Sequence, residues 1–234
     1  MNLTRRNFVL ASALLTWAGF AQAEASASDL LAAVSGPEAT QALRESLEQG
    51  ARKAITTLGR ENGFLGDPSV KIGLPKNFTR AEKFLRGVGY GQNIDDLILA
   101  MNRAAETATP KAQELLLESI RKMSISDAKA LLTGGDNAAT EYFRKSTEVQ
   151  LTETLMPVVR SVTEKSEFAR AYNGLAGKLV KYGVKSDQQT VERYVNKKAL
   201  DGIYFRIGEE ERSLRANPTR YAGSLLGKVF GLMK

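Results

Sequence analysis

From Glu38 to Arg60, Leu43, Leu47, Ala51, Ile55 and Leu58 recur at spacings of four and three. That rhythm lays one apolar stripe along an α-helix, and Pro37 stands just inside its start. The same period returns along most of the chain. Thr79 is placed to cap a short helix running to Gly87. Gln92–Thr107 carries Ile94, Leu97, Ile98, Met101 and Ala105, and Thr109-Pro110 supplies an N-cap and N1 for a helix with Leu116, Ile120 and Met123 inward. Ser124–Asp127 opens a further short helix with a capping box, ending at Leu132.

A longer run follows. Ala139, Phe143, Leu151, Leu155, Val158 and Val162 keep the helical period, with Pro157 expected to kink it. Phe168, Tyr172, Leu175 and Leu179 form another stripe. Asp187 is placed to cap a helix with Val191, Val195, Ala199, Ile203 and Ile207 inward. Asn217-Pro218 begins a last one with Tyr221, Leu225, Val229 and Phe230. The pattern predicts an all-α fold, a compact bundle of roughly eight to ten helices. One stretch departs from it: "NGFLGDPSVKIGLPKN", Asn62 to Asn77, is rich in Gly and Pro, with Val70, Ile72 and Leu74 alternating with Lys71 and Gly73. It reads as an extended segment near 68–75, a short strand or a loop laid over helices, of the kind that borders sites.

The first 23 residues change the picture. Arg5 and Arg6 precede an apolar stretch from Phe8 to Phe20, and Ala21-Gln22-Ala23 gives a small-x-small cleavage pattern. This reads as an export signal, too short to anchor in a membrane. "TRRNF" fits the twin-arginine route in part, and the general secretory route fits equally. The expected mature chain is one domain over 24–234, with 24–36 a flexible lead-in, and its address is the periplasm or the exterior. Losing Arg5 and Arg6 takes the formal charge from +7 to +5. That mild excess forms no basic stripe, so nucleic acid is not the expected partner.

Composition excludes whole chemistries. The chain has neither Cys nor His, which removes disulfides, Cys/His metal sites, the Ser-His-Asp triad and the Cys-His pair. No cofactor is expected. Catalysis would fall to Asp, Glu, Lys, Tyr, Ser or Thr.

Two stretches concentrate the candidates. In "TGGDNAATEYFRKST" (Thr133–Thr147), a helix start behind Gly134-Gly135-Asp136, with Thr140, Tyr142 and Arg144 nearby, has the parts of an anion site. The residues favour a joint instead: Gly134 left-handed after one helix, Asp136 capping the next, its carboxylate filling an anion's place. In "NKKALDGIYFRIGEEERSLRANP" (Asn196–Pro218), Asp201, Phe205 and Glu209 share a face. Carboxylates two turns apart lie about 12 Å apart along the axis, beyond the 5–9.5 Å or so of glycosidase pairs. Glu210 with Asp127, from another helix, remains geometrically open. The alternative is a charged helix with Glu210, Glu211 and Arg215 in local pairs. Gly202 in mid-helix implies a close neighbour, and Lys198 is a candidate base, though long cations usually reach water. Tyr142, Phe143, Tyr172, Tyr194, Tyr204, Phe205 and Tyr221 read as core or as the lining of an apolar pocket.

"MSISDAKALLTGGDNAATEYFRKST", "NGFLGDPSVKIGLP", "AYNGLAGK" and "KKALDGIYFRIGEEERSLRANP" together resemble a bacterial family of exported proteins, the domain of unknown function numbered 4197. The similarity runs from about Asp29 to Phe230. It implies a helical exported domain and carries over no catalytic residue. Some members look lipid-anchored through an N-terminal cysteine, which this chain lacks.

The reading is a periplasmic, non-enzymatic binding or envelope-associated protein. Its ligand- or partner-binding candidates are Asp127, Gly134, Gly135, Asp136, Thr140, Tyr142, Arg144, Lys198, Asp201, Phe205, Glu210 and Arg215. The partner would be an envelope protein, a glycan or an apolar ligand. The alternatives are a His-free hydrolase working on envelope glycan through a carboxylate pair, and a carrier of an apolar ligand between helices.

Overall fold

The computed structural model describes residues 36–75, 78–167, 169, 170, 173 and 190–217. Its helices are α1 (Pro37–Gly59), α2 (Thr79–Gly87), α3 (Gly91–Ala108), α4 (Ala112–Arg121), α5 (Ile125–Thr133), α6 (Ala138–Thr163) and α7 (Val191–Ala216). A 3-10 turn, Thr109–Lys111, joins α3 to α4. The all-α class holds, but seven α-helices among the described residues is fewer than the eight to ten predicted. The stripes at Phe168–Leu179 and Tyr221–Phe230 lie largely or wholly outside the described residues, as do Asp187 and the proposed signal.

The stripes become the core. Leu43, Leu47, Ala51, Ile55 and Leu58 are all buried, as are Val191, Val195, Ala199, Ile203 and Ile207. Each buried Leu or Ile contributes about 1.5–3 kcal/mol relative to exposure. α7 sits at the centre: fourteen of its residues are buried, too many for one face, and it packs against α6, α1 and α3. On α6 the buried line is Ala139, Phe143, Thr147, Leu151, Leu155, Val159 and Thr163, a strict four-residue repeat. The expected Val158 and Val162 are only partly buried beside it. Two threonines can sit in this line because their hydroxyls donate back to the Phe143 and Val159 carbonyls one turn earlier. α6 runs unbroken through Pro157.

Several boundaries differ from the sequence reading. Thr109 does not cap α4; its hydroxyl turns back to the Ala105 carbonyl at 2.7 Å, and the chain continues through the 3-10 turn. α7 begins at Val191, capped by Thr190, whose hydroxyl accepts from the Arg193 N–H. Thr79 is the first residue of α2, with Phe78 at the N-cap. The capping box at α5 is present as predicted: Asp127 N–H donates to Ser124 Oγ, and Ser124 N–H donates to Asp127 Oδ2.

The 68–75 segment forms no strand. In place of a pairing strand, a buried amide clasps its middle. Ile72 N–H donates to Asn102 Oδ1 at 2.9 Å, and Asn102 Nδ2 donates to the Ile72 carbonyl at 2.8 Å. No helix among the described residues is long and apolar enough to cross a membrane.

Candidate functional site

The segment held by Asn102 forms one wall of a cleft of about 620 Å3, and α7 forms the other. Ser69, Val70, Lys71, Ile72, Leu74 and Pro75 line the first wall; Tyr194, Lys198, Asp201, Gly202 and Phe205 line the second. The α7 residues meet there because they lie three or four apart and so share a face. Exposed Ser69, Lys71 and Phe205 at the rim open the cleft to solvent, and its size suits a ligand site.

The wall is fixed at three points. Asp67 pairs with Arg206 at its start and takes the Ser69 N–H at 3.0 Å. Asn102 clasps Ile72 in the middle, and Tyr194 Oη donates to the Gly73 carbonyl at 2.9 Å. Gly202 lines the cleft, but its missing side chain serves the packing behind it. A Cβ there would stand 2.6 Å from Phe64 Cε1, so the glycine exists to admit the Phe64 ring.

The charges are unevenly committed. Asp201 lies 3.5 Å from Arg144 and 4.0 Å from Lys198. Arg144 also stacks over the Tyr204 ring, 4.5 Å from its centroid. Among the lining residues Lys71 and Lys198 outnumber Asp201, so the cleft carries a net positive charge, with Asp95 near enough to Lys71 to interact with it. Burial pushes the Tyr204 phenol above its ordinary pKa, against the smaller pull of its bond to Thr147, so it stays protonated.

The Gly-Gly-Asp stretch serves another purpose. Gly134 is not left-handed; its backbone is extended, at φ −78° and ψ 172°. Glycine is required there because a Cβ would come within 2.7 Å of both the Ala130 carbonyl and Ala138 Cβ. Asp136 is exposed and is not the cap; Asn137 holds that position and makes no side-chain cap bond. The orphan N–H groups of α6 are met from outside the helix. Glu211 of α7 accepts from Ala139 N–H, Thr140 N–H and Thr140 Oγ1, each at 2.9 Å. Arg215, paired with Glu211 at 2.9 Å, donates to the Leu131 carbonyl at 2.9 Å and the Gly134 carbonyl at 3.3 Å, at the end of α5. One ion pair thus satisfies both helix ends, and the place open to an anion is filled by a protein carboxylate.

The remaining candidates separate. Asp127 caps α5, and Glu210 pairs with Lys53 at 2.7 Å. Tyr142 is half-buried with its hydroxyl 3.4 Å from the Ser119 carbonyl, and its ring packs edge-on against Phe143. Gly135 is exposed, its carbonyl accepting from Ala138. Of the two readings of the Gly-Gly-Asp stretch, the joint holds and the anion cluster does not assemble, and Asp127, Asp201 and Glu210 each answer a different partner. Lys198, Asp201 and Phe205 are the three candidates brought together at the cleft.

Sequence reasoning passed over the buried anchors. Glu106, in α3, accepts from Phe64 N–H and Leu65 N–H at 3.0 and 3.1 Å and pairs with Arg103. Glu192 accepts from Thr163 and Asn173. Asn102 and Glu211 act as described above; the local pair of Glu211 with Arg215 was read correctly, and its reach to the backbone of α5 and α6 was not. A signal was present: Glu211 extends the four-residue series Val191, Val195, Ala199, Ile203, Ile207, and Ile98, Asn102 and Glu106 make another.

Fold and site together define an all-helical protein with a loop-walled, cationic cleft along its central helix. The chain belongs to the family described as a protein of unknown function (DUF4197), which it matches over residues 33–231. No curated protein and no solved structure matches it.

Proposed function

We propose that the protein is a non-enzymatic binding protein of the bacterial envelope, exported through residues 1–23, whose ligand site is the cleft between Ser69–Pro75 and α7. The observation that supports it is the meeting of Lys198, Asp201 and exposed Phe205 with a wall already fixed by Asn102 and Tyr194. A pre-formed wall lowers the ordering cost of binding. The carboxylates that would serve the hydrolase alternative are each committed to a cation: Asp201 answers Arg144, Glu210 answers Lys53, and Asp67 and Glu209, which do converge, share Arg206. The carrier alternative calls for a closed apolar cavity of several hundred Å3. The apolar space between Leu47, Phe143 and Ile207 is about 10 Å3, and the larger cleft opens to water.

The test is amide chemical-shift mapping of the full-length chain titrated with benzoate, dodecanoate and dodecyl maltoside. Shifts at Lys71, Ile72, Lys198 and Gly202, with none at Gly134–Asn137, support the reading. Shifts confined elsewhere, or none with these probes or with peptide ligands, overturn it.

A further inference from the structure

We infer that the cleft takes an extended, acidic peptide segment of a partner protein, with an apolar side chain set against Phe205. This rests on the cleft being the binding site. The α7 wall from Tyr194 to Phe205 spans eleven residues of helix, about 16 Å. An extended chain of about five residues covers that length at about 3.3 Å each. The cations stand partway along rather than at one end: Lys198 lies one turn after Tyr194 and Lys71 lies on the facing wall. A linear amphiphile carries its charge at a terminus, whereas a peptide can place an acidic side chain mid-length with apolar neighbours on both sides.

The facing wall also suits a main chain. Ile72 has both backbone groups engaged by Asn102, and the Gly73 carbonyl is taken by Tyr194. Gly73 and Leu74 donate no backbone hydrogen bond among the described residues. Of these two, Leu74 lines the cleft, so its N–H is the main-chain donor on this wall left for a ligand. Main-chain pairing along such a segment supplies affinity, and the side-chain pockets supply selectivity. The cations favour acidic sequences and raise their association rate.

The experiment uses two fluorescein-labelled heptapeptides, one alternating Glu with Leu and Phe, the other with Lys in place of Glu. Binding to the full-length chain is read by anisotropy. The acidic peptide is expected to bind about tenfold tighter than the basic one, with the preference shrinking as salt rises. The double variant Lys71→Glu/Lys198→Glu, checked for an unchanged thermal midpoint, is expected to reverse the order. Equal binding of the two peptides, or an order unchanged by the double variant, overturns the inference. If benzoate or dodecanoate shifts the cleft amides while neither peptide binds, the peptide class falls and the cleft stands as a site. If neither probes nor peptides perturb it, both readings fall.

Discussion

Glu211 and Arg215, four residues apart on α7, close the joint between α5 and α6 from outside it. The carboxylate takes the free N–H groups at the start of α6, and the guanidinium takes the free carbonyls at the end of α5. The pair is buried at Glu211, which is 3% exposed. Removing the carboxylate strands two backbone donors and takes from Arg215 its carboxylate partner.

Glu211→Ala is therefore expected to lower stability by about 3–5 kcal/mol, the usual cost of breaking a buried pair. Asp136→Ala, at the exposed position that does not cap, is expected to change it by less than about 0.5 kcal/mol. Urea denaturation of both variants checks this. Equal losses would show that Asp136 carries the cap after all.

Gly202→Ala places a methyl 2.6 Å from Phe64 Cε1. Overpacking of this kind costs about 1–3 kcal/mol. Phe64→Leu in the same chain removes the clash, so the double variant is expected to be more stable than the sum of the two single losses implies. Additive losses in thermal or urea unfolding would contradict the contact.

Asp127 holds its carboxyl below the ordinary carboxylate range through hydrogen bonds from the Ser124 side chain and backbone. A depressed folded pKa means stability that is present above the unfolded value of about 3.9 and is lost as pH falls through the folded value. The stability gap between the wild-type chain and Asp127→Asn is expected at pH 6 and should shrink steadily below about pH 4. Urea melts of the two chains across pH 2–7 check it, in the range of roughly neutral to acid where this linkage acts. A gap that widens as the pH falls would refute the capping role.

These predictions also mark what was legible in the chain. α1 and α7 could be read because Leu43–Leu58 and Val191–Ile207 repeat at three and four, and repetition survives any detail of packing. Glu211, Asn102 and Glu106 were not read as anchors because a polar residue suggests a solvent face. Their partners are backbone groups distant in sequence, and those leave no periodic trace. The cleft was half legible. Lys198, Asp201 and Phe205 share a helix face and the 68–75 segment read as one that borders a site, but what brings the two together is Asn102, thirty residues from Ile72. Gly134 drew notice for the wrong reason, since crowding by Ala138 rather than handedness demands it.

Export through residues 1–23 predicts cleavage after Ala23, leaving Glu24 as the new N-terminus. N-terminal sequencing of the chain recovered from the envelope fraction of an expressing bacterium is expected to begin at Glu24. A chain retained in the cytoplasm with Met1 or Asn2 first would remove the envelope from this account.

The most direct measurement places a photo-crosslinking amino acid at position 205, on the cleft rim, or at position 149, an exposed site on α6 that is 73% accessible. Both variants are irradiated in intact cells. A discrete adduct from position 205, absent at 149 and abolished by Lys71→Glu/Lys198→Glu, is the result the account predicts. The same adducts from both positions, or an adduct at 205 indifferent to the two lysines, would contradict it.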